Sequence, residues 1–155
     1  MKKYIIIAIV LLVALGAFFY IKNEKPQMLE EVATIEKENI TGCYVARLGK
    51  DIYTLEITSQ EERLVNGTLR FKNFEKDSSS GTLQGTYNND IILGTYAFQS
   101  EGMDSEIEVA FKKTGDNFIR GYGDMSTSTN KFMDIDAIKY DDSVVFMKEE
   151  CTQAV

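Results

Sequence analysis

From Thr41 to Tyr122 apolar and polar residues alternate in short runs, and pairs of turn-forming residues separate the runs. Only an extended strand sends alternate side chains to opposite faces, so period-two runs of this kind commit the segment to antiparallel strands. Tyr53, Leu55 and Ile57 share one face, as do Val65, Leu69 and Phe71, then Leu83 and Tyr87, then Ile92, Tyr96 and Phe98, then Ile107, Val109 and Phe111. The opposite faces carry Thr54, Glu56, Thr68, Arg70, Glu106, Glu108 and Lys112. Each strand therefore has one dry side and one wet side.

The spacing predicts strands at 41–48, 51–58, 63–72, 81–88, 91–98, 105–113 and 117–123, and two shorter ones near 135–140 and 143–148. Gly49-Lys50, Asn89-Asp90, Gly115-Asp116 and Asp141-Asp142 supply the tight turns between them. Strands joined in order by tight turns form an up-and-down meander. About eight of them curling around one apolar face close into a small barrel, which leaves no unpaired edge. The fold class read from the sequence is therefore all-β: a small antiparallel meander barrel at 41–155, preceded by one N-terminal transmembrane helix. Gly67, Gly85 and Gly94 fall on the inward phase of their strands, where a missing side chain permits the sharp coiling a small barrel needs. A glycine there could equally make room for a ligand.

The opening Gly42-Cys43-Tyr44, the repeated Gly-Thr-Leu and Gly-Thr-Tyr strands, and Leu93-Gly94-Thr95-Tyr96 together resemble the meander of avidin-like and lipocalin-like (calycin) barrels. The resemblance implies an up-and-down meander barrel. Avidin-like barrels stack their ligand on tryptophan, and this chain has none, so biotin binding is not implied. Taken whole, the chain also resembles small membrane-anchored proteins of bacterial envelopes, which implies no activity.

Tyr4 to Ile21 is an uncharged apolar run of 18 residues. As a helix it would be about 27 Å long, close to the thickness of a bilayer core. The expectation is a signal anchor at 1–21, with the membrane as partner through residues 4–21. A cleaved signal peptide is the alternative, with Ala14-Leu15-Gly16 as the small-residue site. Against cleavage, the apolar run continues through Ala17, Phe18, Phe19, Tyr20 and Ile21. Lys2 and Lys3 on one side, against Lys22 and Lys25 on the other, favour a cytoplasmic N-terminus and an extracytoplasmic C-terminal domain. Residues 22–40 read as a polar stalk with a short helix.

From residue 27 onward there are 13 basic and 23 acidic side chains, a net of −10. Such a surface repels phosphate backbones, so no nucleic-acid partner is expected. The chain has no histidine, which removes His-based acid–base catalysis, Ser-His-Asp and Cys-His nucleophiles and His-ligated zinc. No catalytic residue, cofactor or metal site is expected. The four carboxylates of Asp134, Asp136, Asp141 and Asp142 do not follow the spacing of a calcium loop. Cys43 and Cys151 bracket the β region and read as a disulfide in an oxidising compartment.

Tyr53, Tyr87, Tyr96 and Tyr122 lie on the inward phase and are the candidate ligand-facing residues. Three functions follow. The first is a non-enzymatic domain binding a small apolar or amphipathic ligand; the second is a filled barrel meeting another envelope protein; the third is a carboxylate-based hydrolase.

Overall fold

The computed structural model describes residues 38–100 and 102–151. The apolar run 4–21 and stalk residues 22–37 lie outside the described residues. Among the described residues no helix is long and apolar enough to cross a membrane.

Eight antiparallel strands follow one another: β1 (Gly42–Leu48), β2 (Asp51–Glu61), β3 (Leu64–Lys72), β4 (Ser79–Asn88), β5 (Ile91–Ser100), β6 (Met103–Thr114), β7 (Asn117–Tyr122) and β8 (Lys139–Glu149). Each pairs with its sequence neighbour, and β8 returns to β1, so the sheet closes into a barrel. The meander expected from the alternation is therefore the observed topology. The turn between β4 and β5 shows why the sequence folds this way locally. Asn89 and Asp90 take positive φ of 49° and 62°, the combination a two-residue hairpin needs to match strand twist.

Most strand ends lie within two residues of the sequence reading, and two differences are larger. Residue ranges 135–140 and 143–148 are not two strands, because Ile135 sits in the preceding loop and Lys139–Glu149 is one strand. Asp141-Asp142 does not turn the chain back. Between Ile119 and Gly121 the partner position on β8 jumps from Val145 to Tyr140, so the aspartates fall in a bulge that β8 absorbs while remaining extended. Likewise β2 does not stop at 58. An irregularity between Ile57 and Ser59 lets the strand run on to Glu61.

The interior is filled. Leu55, Leu69, Leu83, Ile92, Phe111, Phe118 and Phe146 are fully buried, and Tyr44 meets Phe118 edge-on with centroids 4.9 Å apart. The inward glycines do not open a ligand space. A Cβ on Gly67 would lie 2.0 Å from the Glu56 carbonyl oxygen, and one on Gly85 would lie 2.6 Å from the Gly94 Cα. Neighbouring backbone occupies the volume, so glycine here serves close strand approach.

One end of the barrel is closed by the residues just before β1. Ile40 is fully buried in the core. Its N–H donates to Gln60 Oε1 at 3.0 Å and its carbonyl accepts from the Tyr44 hydroxyl at 2.8 Å. Burial pushes the Tyr44 hydroxyl up to about 12, so it stays a donor. Glu38 pairs with Lys113 and accepts from the Tyr87 hydroxyl. The Lys113 ammonium holds the Glu38 carboxyl below the usual carboxylate range. A carboxyl whose pKa is lower folded than unfolded stabilises the fold above its unfolded value, and that contribution is lost as pH falls through the folded value. Acid is therefore expected to loosen this end. Denaturation midpoints measured from about pH 6 to pH 3 should fall, and less steeply for Glu38→Gln. Equal slopes for parent and variant would show that Glu38 has no part in the closure.

Candidate functional site: an aromatic mouth around Arg120

The opposite end is built differently. In β7 the alternate residues Phe118, Arg120 and Tyr122 point inward, since Phe118 pairs with buried Phe146 and Arg120 pairs with buried Phe111. Phe118 belongs to the core, Arg120 is half-buried and Tyr122 is 40 % exposed. β7 and β3 lie four strands apart in an eight-strand ring, so they face each other across the lumen. The Arg120 side chain crosses that gap. Its guanidinium carbon stands 4.5 Å from the centre of the Phe71 ring and 5.3 Å from that of Tyr122.

The strand register assembles the remaining wall. Tyr53 on β2 is directly opposite Phe71 on β3, and the two rings meet edge-on at 5.0 Å. Phe71 also meets Tyr96 edge-on at 5.7 Å. Tyr96 stacks on Phe98 at 4.6 Å. Two hydroxyls are anchored at the rim: Tyr53 donates to Asn73 Oδ1 at 3.2 Å and Tyr96 donates to Ser79 Oγ at 3.0 Å. The result is five aromatic rings around one cation.

The electrostatics of that cation are unusual for an acidic domain. Among the described residues the ion pairs are Arg47 with Glu149 and Lys113 with Glu38, and Arg120 belongs to neither. Burial lowers the Arg120 guanidinium from its ordinary value, and Tyr122, Tyr53 and Tyr96 act in the opposite direction. It remains a cation at neutral pH. Contacts with aromatic faces return about 0.5–2 kcal/mol to a partly desolvated cation. They satisfy none of its in-plane N–H groups, which need oxygen acceptors. Burial pushes the Tyr96 and Tyr122 hydroxyls upward, so both stay neutral.

Of the four tyrosines picked from the alternation, Tyr53, Tyr96 and Tyr122 converge at this mouth. Tyr87 does not. It lies at the closed end, where its hydroxyl donates to Glu38 Oε2 and Asp90 Oδ1, each at 3.2 Å. Sequence reasoning missed Arg120, although its phase with Phe118 and Tyr122 in Phe-Ile-Arg-Gly-Tyr marks it as inward.

Cys43 and Cys151 are joined, with Cα atoms 5.2 Å apart. Glu56 places a carboxylate oxygen within 4.8 Å of both sulfurs, yet sulfurs bonded to each other offer no thiolate to a metal. Asp134 and Asp141 each accept a backbone N–H two residues on, from Asp136 and Ser143. Those carboxylates bond to nearby backbone, Asp134 in the loop before β8 and Asp141 within it. The long segment after β7 lies along β6, where the Asn130 carbonyl accepts from Glu108 N–H at 2.8 Å and Glu108 Oε2 accepts from Phe132 N–H at 2.9 Å. It completes the barrel wall where β6 outruns β7.

No family model matches the chain, and no curated protein and no solved structure matches it. The barrel and its two unlike ends are thus described from their own geometry.

Proposed function

We propose that this chain is a membrane-anchored, extracytoplasmic and non-enzymatic barrel of the calycin kind, which holds a small amphipathic ligand at the mouth around Arg120. The contrast between the two ends carries the reading. One end is sealed by Ile40 and Glu38, whereas the other carries half-buried Tyr53, Phe71 and Phe98, exposed Tyr122 and a cation over a filled core that includes Tyr96. A ligand therefore rests on the mouth rather than inside a lumen, its apolar part against Tyr53, Phe71, Phe98 and Tyr122. The apolar run 4–21 supports anchoring, and a disulfide closing the domain suits an oxidising compartment.

The filled core also favours a second reading, an envelope module that meets another protein. Met133 and Ile135, 72 % and 53 % exposed on the loop after β7, are its natural contact points.

Native mass spectrometry of the chain released from nanodiscs tests the first reading. An added mass that leaves on denaturation, and is lost in Tyr122→Ala but kept in Met133→Ser, supports ligand binding at the mouth. A bare chain that captures no amphiphile from a mixed pool overturns it.

A further inference from the structure

We infer that the ligand's polar end is an oxyanion, a carboxylate or a phosphate, gripped by Arg120 while its apolar part lies on the aromatic wall. This rests on the reading of the mouth as a ligand site and adds the charge and chemistry of what enters it.

The geometry points there in three steps. A half-buried guanidinium that has no carboxylate partner among the described residues has lost part of its hydration without replacement. Removing a charge from water is unfavourable until a counter-charge arrives. The guanidinium carbon lies over the rings of Phe71 and Tyr122, which offer π density and no oxygen acceptor to its N–H fork. Two oxygens on one atom match that fork, as carboxylate and phosphate oxygens do. Finally, the neighbouring hydroxyls do not meet the cation: Tyr53 and Tyr96 donate to Asn73 and Ser79, and neither accepts from Arg120 among the hydrogen bonds of the described residues.

The acidic surface makes the inference discriminating. With a net of −10 beyond residue 27, the domain as a whole attracts cations and repels anions at low salt. Any preference for an anion must then arise at a local cation. Lys113 is paired with Glu38 at the closed end, and Arg47 is paired with Glu149 on the outer surface. Lys50 stands over the Phe74 ring in the outer turns at 3.8 Å, whereas Arg120 is the cation that reaches the inward-facing rings of Phe71 and Tyr122.

The test uses the full chain in nanodiscs, with empty nanodiscs as the blank, and isothermal titration with four short amphiphiles of one chain length: octanoate, octyl phosphate, octyl glucoside and octyltrimethylammonium. Acetate and inorganic phosphate form a second arm. The expected result is that octanoate and octyl phosphate bind about tenfold to hundredfold more tightly than the neutral and cationic probes. Arg120→Gln should abolish that preference, and Arg120→Lys should retain part of it because it keeps the charge and loses the fork. If Arg120→Gln fails to fold, the lysine variant and the probe series still decide the matter.

If all four amphiphiles bind alike, the anion inference falls and the mouth reading stands. If none binds, both fall. If acetate and phosphate bind as well as their octyl counterparts, Arg120 is an anion site for small free ions, and the amphipathic ligand is ruled out.

Discussion

Adding a single methyl group at Gly81 is expected to prevent the barrel from folding. A Cβ built there would lie 1.9 Å from the Ala97 carbonyl oxygen and 2.6 Å from the Phe98 Cα. Both are backbone atoms of β5, so no side chain can swing aside. The clash can be relieved only by parting β4 from β5, whose register runs unbroken from Ser80↔Gln99 to Asn88↔Ile91. Overpacking in a core usually costs about 1–3 kcal/mol, and a clash between two backbones belongs at or beyond the top of that range. A domain of this size has about 5–15 kcal/mol in total. Gly115→Ala is the control. Gly115 has φ of +59° with nothing within 4 Å of its Cβ position, so the variant meets only backbone strain of about 1–2 kcal/mol. Urea denaturation followed by far-ultraviolet circular dichroism should show a clear transition for Gly115→Ala and little or none for Gly81→Ala. A Gly81→Ala midpoint equal to that of Gly115→Ala would mean that β4 and β5 do not approach so closely.

Such glycines also show what could and could not be read from the sequence. Alternation assigns a residue to a face, and it did so correctly for the inward sets of β2 through β6. It says nothing of height along the barrel axis. Height depends on strand tilt and stagger, which are properties of the closed sheet. That is why Tyr87, equal in phase to Tyr53 and Tyr96, belongs to the opposite end, where Glu38 and Asp90 receive its hydroxyl. Arg120 was overlooked for another reason. A charged residue is ordinarily assigned to the wet face, and that rule outweighed its phase with Phe118 and Tyr122, which the register with Phe111 bears out. The segment between β7 and β8 has no period, so its course along β6 could not be inferred. It is fixed by side-chain bonds from Asn130 and Glu108. The Asp141-Asp142 pair carries a turn signal that tertiary pairing overrides, since β8 pairs with β7 both before the aspartates, at Tyr140, and after them, at Val145.

Breaking the Cys43–Cys151 bond is expected to have the second large effect, and its location predicts where the barrel opens. A meander barrel closes at one seam, here β1 against β8. That seam has a short ladder, Cys43↔Glu149, Tyr44↔Lys148 and Val45↔Met147. The adjoining β1–β2 ladder runs the whole length of β1, from Gly42↔Ile57 to Leu48↔Asp51. The disulfide fastens the short seam at the Cys43 end, and the exposed Arg47–Glu149 pair spans it further along, with Arg47 Nη2 donating to Glu149 Oε2 at 2.9 Å. An exposed pair of that kind is weakened by water and salt, so the covalent link dominates. It spans 108 residues of sequence, and in the chain-entropy account a loop of about that size stabilises the fold by roughly 4–5 kcal/mol. Cys43→Ser with Cys151→Ser, or reduction of the parent, should lower the unfolding free energy by that amount, read as a lower denaturation midpoint. Hydrogen exchange should locate the loss. Tyr44 and Val45 amides are expected to lose protection first, while Leu83, Ile92 and Val109 on β4, β5 and β6 retain theirs. Once Tyr44 moves, its contact with Phe118 and its bond to the Ile40 carbonyl go with it, so the sealed end opens before the mouth does. A uniform loss of protection across all eight strands would instead mean that the bond stabilises the domain only globally, and that the seam is no weaker than the rest of the sheet.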